Sequence, residues 1–296
     1  MSKEQIKDLI ERRLPEAGLF ETALRGVQLF RVTEAMPCVP AVYEPTVVAI
    51  LSGTKKAVLD GEHHVYGSDQ YLLCPMTLPV EAGAPQASEA DPLLGVVIAL
   101  EPRMMRELTM EIETAAGGNR QSRGGAPSAL ALASWDAGFT QALLRLLELL
   151  DNPVDLEVLG PGRLRELCYA VLMGEARAAA RRSFGVGNEI ARAIEYLSNH
   201  LNEQVTIDDM AGHVGMSRAV FHRRFKEATT MSPIQFVKSM RLNNAAIKIA
   251  EGKTVSEAAW DVGYQSSSQF SREFKRMYGQ SPRHWSHAAQ MPERLN

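Results

Sequence analysis

The chain has 296 residues, 45% of them hydrophobic and 23% charged, a length that suits two domains and a composition ordinary for a globular protein. Its N-terminus, MSKEQIKDLIERRLPEAG, lacks the apolar core of a signal peptide, no window is apolar enough for a membrane span, and the sparse cysteines argue against a disulfide framework and for a reducing cytoplasm. The formal net charge of −3 at pH 7 is unevenly divided: residues 1–185 sum to −6 and residues 186–296 to +3, which suggests different partners for the two halves.

The N-terminal part of the chain is predicted to be rich in β-strands. After an opening helix at about residues 2–14, short runs of β-branched and apolar residues are separated by Gly, Pro and Asp-Gly, as in strands joined by hairpins. Asp60-Gly61 is the clearest hairpin turn. Strands this short and this tightly joined predict a small sandwich or barrel over about residues 20–101.

Helices are predicted over about residues 102–182. One has Pro102 in its first turn, a second is the amphipathic segment WDAGFTQALLRLLELL, and a third spans about Pro161 to Arg182. Residues 114–128 are Gly-rich and aperiodic, which predicts a loop or linker. The leucine-rich stripes of the later helices suit either a dimer interface or packing onto the β-strands, and the segment SFGVGN marks the expected domain boundary.

Beyond that boundary the chain repeats itself. VGMSRAVFHRRFKEATTMSP (214–233) returns as VGYQSSSQFSREFKRMYGQSP (262–282). Each copy is preceded by an N-cap threonine, Thr206 or Thr254. Each then contains a turn glycine and a second capping serine: Gly215 and Ser217, then Gly263 and Ser266. A short helix, a glycine turn and a capped second helix are the signature of a helix-turn-helix, which predicts two such units at about 206–227 and 254–278.

The segment between the two units is predicted to be a rigid spacer. PIQFVKSMRLNNAAIKIAE, about residues 233–251, reads as one helix, ~27 Å long at 1.5 Å per residue. Adjacent major-groove openings on one face of B-DNA lie ~34 Å apart, so a spacer of this length suits two helices that enter neighbouring grooves. A duplicated structural bundle is the alternative, but two copies are too few for a self-sufficient repeat array.

The C-terminal residues resemble the DNA-binding domain of the AraC/XylS family of transcription regulators. The similarity rests on the repeated F-K-x-x-x-x-x-S-P ending (225–233 and 274–282), on A-x-x-V-G-Y at 259–264 and on P-R-H-W at 282–285. The N-terminal part is similar to the cupin-like regulatory domain of one AraC subgroup, through the segments 43–61, 70–80 and 87–102. The resemblance implies an α+β two-domain fold, with a cupin-like β-barrel and flanking helices in residues 1–183 and an all-α domain with two helix-turn-helix motifs in residues 184–296.

Carried over position by position, the resemblance implies which side chains meet double-stranded DNA in two adjacent major grooves. The expected base-reading residues are Ala219, His222 and Arg223 in the first unit and Ser267, Ser268, Gln269 and Arg272 in the second. Arginine suits guanine, glutamine suits adenine, and alanine offers only a methyl contact to thymine. The expected phosphate contacts are Ser217, Arg218, Arg224, Lys226, Ser266, Lys275 and Arg276, although a solvated surface charge is an equal alternative for Lys226 and Arg276.

In this family the cupin-like domain binds an effector or mediates dimerisation. The candidates for an effector pocket are Tyr43, His63, His64, Tyr66, Tyr71 and Cys74, each of which fits equally well as part of a small β core. A metal-dependent cupin enzyme is the rival interpretation, but the two histidines are neighbours on a strand and point to opposite faces. No metal, cofactor or catalytic site is therefore predicted, and Cys38 and Cys74 are interpreted as inert thiols.

The sequence as a whole predicts a cytoplasmic, sequence-specific transcription regulator. Activation is expected because most of the family activates, and control is expected through a small-molecule effector or through dimerisation. Besides DNA, the expected partners are RNA polymerase, an unknown effector and a second copy of the chain; no membrane partner and no enzymatic activity are expected. The alternatives are a metal-dependent cupin-type enzyme fused to a DNA-binding module, and a DNA-binding protein without effector control.

Overall fold

The computed structural model describes residues 2–116, 129–185 and 188–289, so most of the predicted linker at 114–128 lies outside the described residues. The chain divides into two compact units. The first comprises Met1–Cys38, Tyr43–Met76 and Ala82–Asn188, and the second comprises Val39–Val42, Thr77–Glu81 and Glu189–Asn296. Strands precede residue 135 and the described residues from 189 onward are helix and turn, which confirms the α+β two-domain class.

The strands lie in two sheets. They are β1 (Gly18–Glu21), β2 (Val27–Val32), β3 (Met36–Tyr43), β4 (Thr46–Ser52), β5 (Thr54–Leu59), β6 (Glu62–Gly67), β7 (Gln70–Cys74), β8 (Leu78–Ala84), β9 (Leu93–Ala99) and β10 (Ala131–Ser134). One sheet has the order β1-β2-β9-β4-β7-β10 and the other β3-β8-β5-β6. These sheets do not close on each other, which replaces the predicted barrel over residues 20–101 with an open two-sheet arrangement.

Helices cover one face of the six-stranded sheet. They are α1 (Ser2–Glu11), α2 (Pro102–Ala115), α3 (Ala137–Glu148), α4 (Pro153–Met173) and α5 (Arg177–Phe184), with a 3-10 turn at Leu149–Asp151. Val47 and Tyr71 belong to the core that these helices share with the sheet, and Tyr71 stacks on Phe139 of α3 with ring centroids 4.5 Å apart. Because side chains alternate along a strand, Phe30 and Cys74 face the opposite side.

The hairpin of β5 and β6 matches its prediction. Asp60 and Gly61 connect the strands with φ values of +50° and +81°. A two-residue turn with positive φ at both positions is the type I′ geometry that Asp-Gly favours, so the predicted turn is confirmed. The resulting register places Lys55 directly opposite Tyr66, and the two side chains therefore share one face of the sheet.

Helix α4 begins earlier than the sequence indicated. It starts at Pro153 and contains Pro161, so the predicted start near Pro161 is wrong, and α5 is a separate helix. Asn152 caps α4 by accepting a hydrogen bond from the Val154 N–H at 3.0 Å. Proline at the first helical position loses no intrahelical hydrogen bond, which is why Asn-Pro begins this helix instead of ending the previous one.

The second unit is built mainly from helices. They are α6 (Glu189–Asn199), α7 (Ile207–His213), α8 (Arg218–Thr229), α9 (Pro233–Ala250), α10 (Val255–Asp261), α11 (Ser267–Tyr278) and α12 (Pro282–Ala289). Ser232 and Gln235 form a capping box at the start of α9, and the 18 residues of this helix extend ~27 Å. The second half of α9 shares a core with α10 and α11 that includes Ala246, Ala258 and Phe270.

A buried asparagine connects distant segments of the second unit. Asn243 is 1% exposed, and its amide nitrogen donates to the carbonyl oxygens of Ala41 and Val80 at 2.9 Å each. Its amide oxygen accepts from the Tyr278 hydroxyl at 2.6 Å. Both ends of the amide are thus paired, as a buried polar side chain requires. Across the described residues, every helix is too short or too polar to traverse a bilayer.

Candidate nucleic-acid interface and small-molecule site

Helices α7 and α8 form the first helix-turn-helix. Thr206 caps α7 by accepting from the Asp209 N–H at 3.1 Å, and the Asp209 carboxylate accepts from the Thr206 N–H at 2.9 Å. These hydrogen bonds lower the pKa of Asp209. The chain then turns at Gly215 with φ +69°, and Phe221 and Phe225 of α8 are fully buried. One face of α8 is therefore fixed to the protein and the other is free.

Helices α10 and α11 repeat this arrangement. Thr254 accepts from the Glu257 N–H at 3.2 Å and its own N–H donates to the Glu257 carboxylate at 3.0 Å. The turn follows at Gly263 with φ +85°, and Phe270 and Phe274 of α11 are fully buried. The two predicted helix-turn-helix units are confirmed as local structures of the same design.

The predicted base-reading residues of α8 lie on its exposed side. Ala219, His222 and Arg223 are all exposed. Ala219 and Arg223 lie on the face opposite the buried phenylalanines, and His222 lies at the edge of that face. In the described part of the chain Arg223 forms no ion pair, so its guanidinium is available to a ligand.

The predicted base-reading residues of α11 are likewise on the exposed side of that helix. Ser267, Ser268, Gln269 and Arg272 are all exposed. The Gln269 amide donates to Glu273 at 3.3 Å, so it must turn away from this partner before it reaches a base. Arg272 has no ion-pair partner within residues 2–116, 129–185 and 188–289.

The predicted phosphate contacts fall into two groups. Arg218 pairs with Asp208 at 3.0 Å and Arg224 pairs with Glu189 at 3.6 Å. Exposed pairs of this kind contribute about 0–1 kcal/mol, so a phosphate competes with them readily. Lys226, Lys275 and Arg276 are exposed and have no ion pair in the described part of the chain.

The two capping serines behave differently. The Ser266 hydroxyl accepts from the Gln269 N–H at 3.3 Å, which confirms its predicted capping role. Ser217 occupies the corresponding position before α8, with φ −69° and ψ 149°, but its side chain forms no capping hydrogen bond. The prediction for Ser217 as a side-chain cap is therefore wrong, and its hydroxyl remains exposed beside the first turn of α8.

A polar cluster that the sequence did not indicate holds α11 in place. The Tyr264 hydroxyl donates to Glu273 at 2.8 Å and the Lys238 ammonium lies 3.3 Å from the same carboxylate. Burial alone raises the pKa of Glu273, but these partners and Gln269 outweigh it and lower the pKa. The i,i+4 spacing of Gln269 and Glu273 was the one available signal, since Tyr264 and Lys238 come from other elements.

Three of the predicted effector residues come together between the two sheets. Burial raises the pKa of Tyr43, with Cys74 adding to the effect, and burial and Tyr43 raise the pKa of Tyr66. The Cys74 thiol is fully buried and donates to the Met76 carbonyl oxygen at 3.1 Å, and burial raises its pKa. This environment fits an inert thiol.

The other effector candidates lie elsewhere. Tyr71 faces the helices, where burial raises its pKa to about 12, so it is not grouped with Tyr43 and Tyr66. His63 is exposed, whereas His64 is partly buried opposite the buried Ala57, and burial lowers the pKa of His64. His64 is thus the histidine that points inward, because strand neighbours face opposite ways.

Lys55 is a residue of this region that the sequence interpretation missed, and Cys38, interpreted as an inert thiol, lies near it. The Lys55 ammonium lies 5.4 Å from the centroid of the Phe30 ring, which belongs to the other sheet. Burial lowers the pKa of Lys55, while the nearby Cys38 raises it. The alternation of Lys55 with the buried Ala57 and Leu59 was a usable signal that this lysine faces inward.

Among the residues that the structure describes, no group of three or more His, Cys, Asp or Glu is arranged to hold a metal ion. The three cysteines are free thiols, and burial raises the pKa of Cys168 to about 12.

Two family models match the chain. The model described as the AraC-type transcriptional regulator N-terminus matches residues 23–179, and a model of a helix-turn-helix domain matches residues 210–288. The first covers strands β2 to β10 with helices α2 to α4, and the second covers both helix-turn-helix turns.

The curated relatives each match about a third of this chain. The regulator MtrA of Neisseria gonorrhoeae is 35% identical over 94 residues, 31% of this chain and 31% of MtrA. The probable transcriptional regulator LumQ of Photobacterium leiognathi is 33% identical over 88 residues, 29% of this chain and 36% of LumQ. The chain therefore matches about a third of the length of these two relatives, whereas the match to SoxS of Salmonella typhimurium, at 28% identity, covers 92% of SoxS.

Among solved structures, ToxT from Vibrio cholerae has the same overall fold. A crystal structure of ToxT bound to (E)-4-(8-methylnaphthalen-1-yl)but-3-enoic acid matches with a TM-score of 0.58 and 12% identity, covering 89% of this chain and 98% of ToxT. At that identity the likeness shows the fold alone. The N-terminal family model covers more than half of the sequence, and on that evidence this chain belongs to the AraC family of transcriptional regulators.

Proposed function

We propose that this chain is a sequence-specific DNA-binding transcription regulator that inserts α8 and α11 into two successive major grooves. The observation that carries the proposal is that α8 and α11 have the same division into a buried and an exposed face. Each buries two phenylalanines and exposes polar residues on the opposite face, within a capped helix-turn-helix. A helix presented in this way is the usual reader of the major groove.

The proposed roles of the exposed side chains follow from their chemistry. Arg223 and Arg272, which carry no ion pair in the described ranges, suit bidentate contact with guanine, and Gln269 suits adenine. Ala219 offers only a methyl group, so readout by α8 rests on His222 and Arg223. The phosphate set, Ser217, Arg218, Arg224, Lys226, Ser266, Lys275 and Arg276, fixes orientation and register.

The N-terminal two-sheet part is proposed to bind a small-molecule effector. ToxT, which shares this fold, has been crystallised with an organic acid. In this chain Tyr43, Tyr66, Cys74 and Lys55 converge between the sheets, which gives the proposal a location. An effector can change the affinity for DNA only by the ratio of its own affinities for the two conformations of the protein.

The proposal assigns no catalysis, metal or cofactor to the chain. His63 and His64 point to opposite faces of β6, which is incompatible with their binding one ion together. Activation, contact with RNA polymerase and a cytoplasmic location are part of the proposal by analogy with the family.

A second copy of the chain is the remaining proposed partner. Helix α4 exposes an apolar stripe on one side, formed by Val154, Val158, Tyr169 and Met173, each between 43% and 71% exposed. Exposed apolar stripes of this kind suit helix pairing. Sedimentation velocity of the full chain and of its Val158→Lys variant checks this proposal. A wild-type dimer that becomes a monomer in the variant supports pairing through α4, and a monomeric wild type contradicts it.

The function is tested by incubating the full chain with fragmented chromosomal DNA of its host and sequencing the retained fragments. We expect a small set of fragments upstream of genes to be enriched over the input. The matched control is the double variant Arg223→Ala, Arg272→Ala, which should retain DNA without this enrichment. Equal recovery of all fragments by the wild type would contradict sequence-specific binding.

A further inference from the structure

The Lys55 side chain points into the space between the two sheets. Lys55 on β5 stands opposite Tyr66 on β6, and its ammonium lies over the Phe30 ring of β2 in the other sheet. The adjacent residue, Lys56, pairs with Val65, which is 53% exposed, so Lys56 faces outward. Two neighbouring lysines thus lie on opposite faces of one strand.

The inward-facing amine has no counter-ion among the residues that the structure describes. In the described ranges no carboxylate forms an ion pair with Lys55, whose neighbours are the Phe30 ring and Cys38. An ammonium removed from water is unfavourable unless an opposite charge or hydrogen bonds compensate for it. The acidic group of a bound ligand would supply the opposite charge that this ammonium lacks.

An unpaired hydroxyl stands beside this amine. Tyr66 is 1% exposed, and its hydroxyl has no hydrogen-bond partner among the described residues. The neighbouring Tyr43 influences the pKa of Tyr66, yet the two hydroxyls do not reach standard hydrogen-bond geometry. Buried hydroxyls are normally paired, so the Tyr66 O–H, which has only this loose contact with Tyr43, can still donate to a ligand.

The surroundings are otherwise apolar and partly open. Phe30 and Cys74 are buried on the sheet face that looks toward Lys55, whereas Lys55, Tyr43 and His64 are only partly buried, which leaves a route from solvent. A ligand that fits this chemistry has one acidic group and an apolar body. We propose that the effector is a small organic carboxylate, whose acidic group pairs with the Lys55 ammonium and accepts a hydrogen bond from Tyr66 while its apolar body packs between the sheets.

The assignment rests on the proposed effector-binding role and is tested by isothermal titration of the full chain. The probes are octanoate and 4-phenylbutyrate, which separate aliphatic from aromatic acids, each compared with its neutral amide. We expect saturable binding of at least one acid, with the amide about ten-fold weaker or worse, because a hydrogen-bonded ion pair is replaced by a neutral contact.

Variants locate the acidic group. Lys55→Met should weaken the acid about ten-fold or more, Tyr66→Phe should weaken it less, and the matched control Lys56→Met should bind as the wild type does. Without ligand, Lys55→Met should melt at or above the wild-type temperature, because it removes an uncompensated charge. Failure of both acids to bind, equal binding of acid and amide, or equal losses in Lys55→Met and Lys56→Met would overturn the proposal.

The retention of host DNA fragments by the same proteins separates this inference from the proposed function. Specific retention by the wild type and by Lys55→Met, with no binding of either acid, overturns the effector assignment alone. If the wild type retains no DNA fragments specifically, the proposed function is overturned. The titration then still shows whether the chain binds the acids.

Discussion

The two helix-turn-helix units have one backbone plan but differ in how their second helices are fixed. Helix α11 is capped by the Ser266 side chain and ends at Gly279 with φ +74°. Helix α8 has no side-chain cap at Ser217 and ends at Thr230 with φ +66°, a conformation that is unfavourable for a β-branched residue. The start of α8 therefore lacks the side-chain hydrogen bond that holds the start of α11.

The polar surroundings of the two helices differ in the same direction. Glu273 of α11 is held by Tyr264, Lys238 and Gln269. Arg224 of α8, the counterpart of Glu273 in the repeat, has a single ion pair among the described residues, with Glu189 at 3.6 Å. The two units are thus similar in sequence but are held by different side-chain contacts. We expect α11 to be the more rigid of the two helices.

The largest expected effect distinguishes the two turn glycines. A Cβ at Gly263 would lie 2.9 Å from the Leu201 carbonyl oxygen, whereas a Cβ at Gly215 meets nothing within 4 Å. Gly263→Ala should destabilise the second unit by about 3 kcal/mol, and Gly215→Ala by about 1 kcal/mol from its positive φ alone. Urea unfolding of the full chain, with hydrogen exchange over α7–α8 and α10–α11, measures both; equal losses would contradict the difference in packing.

The next effect concerns base reading. Arg272→Ala should weaken binding to a selected operator by about 1–3 kcal/mol and leave binding to random DNA nearly unchanged, and Arg223→Ala should do the same for the first unit. Arg276→Ala is the matched control, because loss of a phosphate contact weakens both DNAs alike. Competition binding measures the ratio, and an unchanged ratio in Arg272→Ala would rule out its contact with a base.

A smaller effect tests the two capping serines. Ser266→Ala should destabilise α11 by about 1 kcal/mol, because it removes the hydrogen bond to the Gln269 N–H. Ser217→Ala should change stability by less than about 0.5 kcal/mol, since that side chain makes no cap. Thermal unfolding of the two variants decides the point, and an equal loss in both would show that Ser217 caps α8 in solution.

The smallest expected effect is a gain. Thr230→Gly should stabilise the first unit by about 0.5 kcal/mol, because glycine tolerates the φ of +66° that threonine holds there. Gly279→Ala, at the equivalent end of α11, should lose about 1 kcal/mol. Melting temperatures of the full chain are the measurement, and a loss in Thr230→Gly would mean that its hydroxyl contact to Thr229 outweighs the backbone strain.

Much of the fold was readable from local chemistry. Threonine caps, glycine turns and paired phenylalanines define each helix-turn-helix within about twenty residues, so the sequence predicted both. The start of α4 was missed because Asn152-Pro153 suits the end of one helix as well as the start of the next. Whether the strands close into a barrel depends on long-range pairing between β2, β4, β7 and β9, which no local sequence pattern specifies. The prediction of a closed barrel was wrong for this reason.

In the candidate sites, too, residues set by local patterns were predictable and residues set by long-range pairing were not. The base-reading residues follow from helical periodicity once the buried phenylalanines are known. Lys55 and Tyr71 required the sheet register and the identity of the covering layer: Tyr71 faces the helices, while Lys55 faces Phe30 across the two sheets. Ser217 and Ser266 look alike in sequence, and only the local backbone distinguishes the one that caps.

The central claim is that both repeated units read bases, and selection from a random-sequence DNA pool with the full chain at physiological salt tests it most directly. The account predicts a motif with two informative blocks about one helical turn apart, ~34 Å between centres, with one block lost in Arg272→Ala and the other in Arg223→Ala. A single informative block that survives Arg272→Ala or Arg223→Ala unchanged would contradict it.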